Sequence, residues 1–428
     1  MTFFVELLFV LCAYSEVTRH VCLSAIVRNE EKVIARFLDN NRWAFDHFDI
    51  TDTGSTDRTV EIIEEFAASG RVSATVHSFP WIDDFGAARS YALERSRETQ
   101  CSHYVFLDAD DEVWSEEKRP LEQRERSAFH SYMRSHCTSV CNTQTIVANG
   151  HMWWRLFAVS DSTPAKFIGA RHETLNTTGG SHNLEHYFVF AHRDQTRLNR
   201  EPHALLADAF ALERDILRGV NVERAMYYAG QSYEQGGDSG RAIAMYQRRV
   251  DAEGGWDQER YVSQLHIGML TERQESFDAA TVAYFRALAL DESRAEAYFY
   301  LARGFRTARN YVACFLIARE GARKRLRAGH LFADADIYEF SVKDEAAVCA
   351  SYLPDYRVDA LELFTALSVV RPSDTRVRDN LAWLNRTLAL AFAQRTLRGR
   401  APRSRLQRLW KSANGGILAK HEWEINER

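Results

Sequence analysis

Between residues 21 and 107, four short apolar runs alternate with segments whose apolar residues recur at helical spacing. That alternation constrains the fold more than any other feature of the chain. Val21-Cys22-Leu23-Ser24-Ala25-Ile26-Val27 is nearly continuous, as expected of a strand buried on both faces. Val33, Ile34, Phe37 and Leu38 then follow a helical period. Residues 48–52 and 72–77 read as the second and third strands, separated by a helix with Val60, Ile63 and Phe66 on one face. A third helix is expected over 83–97 and a fourth strand over 103–107. Repeated β-α units of this length predict an α/β domain with a mainly parallel, Rossmann-like sheet and helices on both faces.

In such sheets ligands bind beyond the carboxyl ends of the strands. Asn29/Glu30, Asp52, Asp57, Asp83/Asp84 and Asp108/Asp110 all fall at those ends. The densest group is Asp108-Ala109-Asp110-Asp111-Glu112, delivered by the apolar run before it. Like charge concentrated at a strand end is unfavourable unless something positive neutralises it, and a divalent cation is the usual partner. Carboxylate oxygens suit hard ions such as Mg²⁺ or Mn²⁺, which also bind nucleotide phosphates. Asp57 has a structural alternative, because Ser55-Thr56-Asp57 has the composition of a helix N-cap. The charged stretch 115–134 reads as an exposed helix or loop beside this region.

The second half changes character near Pro202 and becomes rich in Ala, Leu, Arg and Tyr. Gly230, Tyr233, Ala242 and Tyr246 recur as Gly268, Ala280 and Tyr284, and more loosely around Ala302. The spacing is one tetratricopeptide period, with a Gly254-Gly255-Trp256 insertion in the first copy. The expected division is an apolar N-terminal segment over 1–20, an α/β domain over 21–200, helical repeats over 201–335 and a helical region over 336–428. A formal charge of -5 gives no reason to expect a nucleic-acid binder. Stacked helix pairs present extended surfaces, so a protein partner or a homodimer through the repeats is expected.

The seven cysteines are scattered and odd in number, which argues against a disulfide scaffold and fits a reducing compartment. Residues 3–14 are almost wholly apolar, like the core of a leader. They lack a basic leading segment, include Glu6 and are too short to span a bilayer. The expected location is cytoplasmic, or the secretory pathway or a membrane surface if 1–20 acts as a leader.

Four stretches occur in order: Val27-Arg28-Asn29-Glu30-Glu31, Asp52-Thr53-Gly54-Ser55-Thr56-Asp57, Trp81-Ile82-Asp83-Asp84-Phe85-Gly86-Ala87-Ala88-Arg89 and Leu107-Asp108-Ala109-Asp110-Asp111. Arg155-Leu156-Phe157 and Gly169-Ala170-Arg171-His172-Glu173-Thr174-Leu175 follow. Together they resemble the family 2 glycosyltransferases of GT-A fold, in the branch carrying tetratricopeptide repeats. The resemblance implies an inverting transfer from a nucleotide sugar, a UDP-sugar foremost, with Mn²⁺ or Mg²⁺. It implies Asp110 as direct metal ligand, with Asp108 reaching the ribose or the metal. Glu30, Asp52 and Asp84 would bind the donor, and Arg89 would hold the diphosphate unless it pairs with Asp83 or Asp84. Glu173 is the expected base for the acceptor hydroxyl, with Asp111 as second candidate. His192 or His172 would add a metal ligand, although His192-Arg193-Asp194 departs from the Gly-Tyr loop that relatives place after the His.

The acceptor stays open among a peptide, a glycan and a glycolipid. A sugar-nucleotide pyrophosphorylase would want a Gly-rich basic loop after the first strand, where this chain has Arg28-Asn29-Glu30-Glu31. A non-catalytic repeat scaffold with a degenerate nucleotide-binding domain is the remaining alternative.

Overall fold

The structure is a computed structural model that describes residues 20–148, 152–192, 201–327 and 329–397. The apolar segment 3–14, Cys12, Arg193-Asp194 and most of the basic stretch 395–408 lie outside the described residues. Among the described residues, no helix is long and apolar enough to cross a membrane.

Ten strands and fourteen helices are described. The first unit opens with β1 (Val21–Val27), α1 (Ile34–Asn41), β2 (His47–Asp52), α2 (Thr59–Ala68), β3 (Ser73–Ser78), α3 (Phe85–Arg97) and β4 (His103–Phe106). It continues through β5 (Asp111–Trp114), α4 (Arg126–His136), β6 (Val140–Ile146) and β7 (Met152–Ser160). The hairpin β8 (Ala165–Ile168) and β9 (Thr174–Thr177) and the long β10 (Ser181–Ala191) complete its strands.

Eight strands form one sheet in the order β3-β2-β1-β4-β7-β6-β10-β5. β3, β2, β1 and β4 are mutually parallel, as is β6 with β10, whereas β7 and β5 run against their neighbours. Alternation along β1 separates two cores. Val21, Leu23, Ala25 and Val27 pack with Phe37, Ile63, Phe129 and Met133 from α1, α2 and α4. Cys22 faces the other way, towards Leu93 of α3, Tyr104, Phe106 and Phe167 of β8. Burial on both faces is why the run reads as continuously apolar.

β5 stands at the far edge, with three strands between it and β4, yet only four residues join them. Four flat strand spacings would be roughly 19 Å, more than so short and turned a connection can span. The sheet therefore curls, and the acidic turn bridges its two ends.

Packing divides the chain after Ala242, later than the change in composition near 201. The reason is that α5 (Pro202–Arg218) and α6 (Val222–Gln235) are tied to the α/β unit by side chains described below. The second unit contains helical pairs such as α8 (Asp257–Gln274) with α9 (Phe277–Leu290) and α10 (Glu296–Thr307) with α11 (Tyr311–Gly321), numbered after α7 (Ser239–Asp251). α12 (Val342–Tyr352), α13 (Arg357–Val370) and α14 (Thr375–Leu397) follow. Gly268 serves as the repeat pattern requires: a Cβ there would meet the Tyr284 ring at 2.6 Å, so only glycine lets α8 and α9 approach this closely.

The cysteines correct the sequence reading. Cys22 with Cys101, Cys137 with Cys141, and Cys314 with Cys349 form three disulfides, with Cα separations of 6.0, 5.5 and 6.1 Å. Every cysteine among the described residues is paired. The odd total includes Cys12, which lies outside the described residues, and partners 79 and 35 residues apart have no local signature. The stretch expected to be exposed over 115–134 also differs: α4 buries Phe129, His130 and Met133 against the sheet.

Candidate active site

The parallel strands β1, β2 and β4 bring their carboxyl ends to one edge of the sheet, and most of the expected site residues gather there. After β1 and β2 the two loops are laced together. Asn29, held at φ 55°, accepts from Thr56 N at 2.7 Å, and Glu30 N donates to the Thr59 hydroxyl at 2.7 Å. Asp57 accepts from Thr59 and from Glu31 N, so its part is structural. Asp52 ends β2 buried, with its carboxylate accepting from Gly54 N and Ser55 N at 3.1 Å each. Asp84 is the N-cap of α3, accepting from Ala87 N at 2.8 Å. In this geometry both carboxylates order backbone at the rim of the site.

The centre is a chain of carboxylates and guanidiniums. Arg89, one turn into α3 and mostly buried, donates to Glu173 Oε1 at 2.5 Å and to Asp108 Oδ1 at 2.7 Å. Its partners lie 84 and 19 residues away and are neither Asp83 nor Asp84. Burial works against the charge of Arg89, but the Asp108 and Glu173 carboxylates hold its pKa above the ordinary arginine value. Arg155 on β7, read from sequence only as part of a motif, donates to Asp111 Oδ2 at 2.7 Å and stands 3.7 Å from Asp108 Oδ2. Sequence reasoning missed its part: nothing local marks a strand arginine as the partner of an acid 44 residues earlier.

Asp111 is buried and accepts from Asp108 N at 2.9 Å as well as from Arg155. Desolvation pushes its pKa up to about 6 against the pull of Arg155, with Asp108 adding to the rise. The second candidate for the base is thus buried and braces the acidic turn. Asp108 is half exposed and Asp110 partly so, which leaves this pair facing the open side.

His192 is placed differently from the expectation. Its Nε2 lies 2.8 Å from Glu112 Oε2, and its backbone N donates to Asp110 O at 2.8 Å. Among the described residues, ligand atoms of Asp108, Asp110 and His192 do not converge within 4.8 Å of one another. His192 therefore braces the turn through Glu112. His172 is exposed and stacks on Tyr228 at 3.8 Å. Trp81 packs edge-on against Phe85 at 4.8 Å under the Arg171 guanidinium, a packing use of the ring.

Glu173 stands at the end of the β8–β9 loop, which docks on the start of α3. Phe85 N donates to Ala170 O and Gly86 N to Gly169 O, both at 3.1 Å. Arg171 bridges Asp83 and Asp208. Burial opposes the ionisation of Asp83, but Arg171 and Arg214 together draw its pKa below the usual carboxylate range.

Residues 25–123 match the sequence profile of Glycosyl transferase family 2, a span that runs from β1 past the acidic turn. This region is similar to a family 2 glycosyltransferase domain. A TPR repeat-containing protein of Synechococcus elongatus is 35% identical over 113 residues, which is 26% of this chain and 26% of that protein. The matched stretch thus spans about a quarter of the relative's length. Among solved structures, the UDP complex of S. aureus TarS aligns over 78% of this chain and 91% of its own at 13% identity, with a TM-score of 0.31. MamA of strain AMB-1 aligns over 39% of this chain and 82% of its own at 17% identity, with a TM-score of 0.31. Scores this low leave the architecture of the glycosyltransferase unit resting on its own strand order and register.

Proposed function

We propose that this chain is an inverting glycosyltransferase that moves a sugar from a nucleotide-sugar donor, a UDP-sugar foremost, to an acceptor hydroxyl with the help of Mn²⁺ or Mg²⁺. The observation that carries the reading is the Asp108–Arg89–Glu173 chain at the carboxyl end of β4, next to Asp110, with Arg89 and Asp108 inside the stretch matched to family 2.

The donor set fits a hard divalent ion. Asp108 and Asp110 supply oxygen ligands only, on the exposed side of a turn where Asp108, Asp111 and Glu173 pair with the two guanidiniums of Arg89 and Arg155. Two carboxylates with substrate phosphates are a usual Mg²⁺ arrangement. When bound, the ion would supply positive charge to the departing diphosphate. Arg89, already buried beside Asp108, would supply a second cation to the same phosphates. Glu173, one side-chain oxygen held by Arg89, would take the acceptor's proton as the hydroxyl attacks the anomeric carbon. Glu30 and the turn ordered by Asp52 would line the nucleoside side. The repeats would offer surface to a macromolecular acceptor, whether peptide, glycan or glycolipid, or to a second copy of the chain.

The test is donor binding and hydrolysis across UDP- and GDP-sugars with Mn²⁺, comparing the wild type with Asp110→Ala. Metal-dependent binding of one donor, lost in the variant, is expected. Absence of nucleotide-sugar binding in the wild type, with no effect of the substitution, would overturn the reading and favour a repeat scaffold.

A further inference from the structure

Five side chains of α5, α6 and their linker converge on residues 168–174, the segment that carries Glu173. Asp215 accepts from Ala170 N at 2.6 Å, and both residues are buried. The Asn221 side-chain amide donates to Ile168 O at 3.1 Å and to Thr174 Oγ1 at 2.9 Å. Ile168 and Thr174 are the register pair that closes the hairpin neck, so one side chain clips both of its strands. Asp208 accepts from Arg171 Nε at 2.5 Å, and Arg224 Nε donates to His172 O at 3.0 Å. Tyr228 covers the loop through its stack on His172.

The loop needs such support. Gly169 at φ 104° and His172 at φ 50° occupy the left-handed region, and for a non-glycine residue that conformation persists only where surrounding contacts over-determine it. Asn221 is itself at φ 44°, a conformation asparagine tolerates better than most side chains. Asp215, Asn221 and Arg224 hold backbone groups of the segment that sets where the Glu173 carboxylate stands, while Asp208 and Tyr228 hold its Arg171 and His172 side chains.

We infer that the α5–α6 hairpin is a positioning element for the acceptor base, with Asp215 and Asn221 as the positioning residues that fix Glu173 against Arg89. This rests on the reading of Glu173 as the base. Its consequence is that the first helical pair after the sheet belongs to the chemistry of the transferase unit and not to the partner-binding surface of the repeats.

Three substitutions in the full chain test it. Asp215→Ala deletes the acceptor of Ala170 N, Asp215→Asn keeps an oxygen there, and Asn221→Gly keeps the left-handed backbone while deleting the amide. Steady-state transfer and mass-spectrometric hydrogen exchange over 168–174 are measured on each. Because small misplacement of a reacting group is costly, kcat should fall roughly 10- to 100-fold in Asp215→Ala and Asn221→Gly. Donor KM should stay within about twofold of the wild type, since donor contacts are intact. Asp215→Asn should recover most of kcat, and amide protection over 168–174 should fall in the two disruptive variants. Unchanged protection, or a loss expressed wholly in donor KM, would overturn the inference. If Asp215→Ala does not fold, Asn221→Gly decides. A wild type that transfers no sugar would sink the proposed function alone, because the exchange measurement still decides whether α5 and α6 hold the loop.

Discussion

Gly86 is where the docking of the Glu173-bearing loop can be measured most directly. A Cβ at this position would lie 2.6 Å from Gly169 O and 3.1 Å from both Gly169 N and Ile168 C. Every one of these is a backbone atom, so no side chain can rotate away. Restoring an ordinary contact of 3.4 Å requires the loop to retreat by 3.4 − 2.6 = 0.8 Å. The hydrogen bonds from Phe85 N and Gly86 N, now 3.1 Å each, would stretch beyond useful length. Two lost bonds cost about 1 kcal/mol each, and overpacking of this kind costs roughly 1–3 kcal/mol. Alanine regains at most about 1 kcal/mol of helix propensity, less in a first turn. Propensity loses, and a net destabilisation of roughly 2 kcal/mol is expected for Gly86→Ala. For a unit of this size that lowers its transition by about 4–8 °C, read by calorimetry on the full chain as the earlier-melting unit. Transfer should also drop by about tenfold or more as Glu173 leaves Arg89. A Gly86→Ala protein that melts at or above the wild-type temperature would refute the tight helix–loop contact.

Three further outcomes are expected. Asp111, with its pKa raised to about 6 from an ordinary 3.8, binds a proton in the folded state that the unfolded state has released. Stability should therefore fall as pH rises between about 4 and 6; melting curves of the wild type against Asp111→Asn should differ in slope within that window and run parallel above it. Arg155→Met leaves Asp111 buried without its cation and should cost about 3 kcal/mol, while adding Asp111→Asn recovers most of the loss in chemical denaturation. Alkylation of the denatured, unreduced protein should leave Cys22, Cys101, Cys137, Cys141, Cys314 and Cys349 unmodified in peptide maps. Reduction should lower the melting temperature, since the Cys22–Cys101 bond alone closes a loop of 79 residues, worth up to about 4 kcal/mol in the chain-entropy account.

Much of the α/β unit could be read from local pattern. β1 runs from Val21 to Val27 as its apolar run indicates, and α3 starts behind Asp84 because Asp84 caps it. Period and caps are local signals, so they survive in the sequence. The partners of the site are not local. Arg89 could be seen to be near acids, but the nearest in sequence, Asp83 and Asp84, are spent on Arg171, Arg214 and the helix cap. Its true partners arrive from the end of β4 and the β8–β9 loop. That hairpin was legible only as a motif, because two four-residue strands leave too short a period to recognise. Asp215 and Asn221 were hidden for another reason: they lie where composition already looks like helical repeat. His192 shows the limit of ligand chemistry as a guide, since the same imidazole that could bind a metal is held by the neighbouring Glu112.

The strand order also governs when the site can exist. β4 takes its outer neighbour from β7, and β5 takes its only neighbour from β10, which ends at Ala191. A growing chain that has reached residue 123 therefore holds the complete acidic motif but neither strand that holds its two flanks. Non-local pairings of this kind close late, after loop entropy has been overcome. The acidic turn is written early in the chain and assembled near the end of folding. A translation product that stops short of residue 191 would carry Asp108, Asp110 and Glu173 without the strand pairing that brings them together.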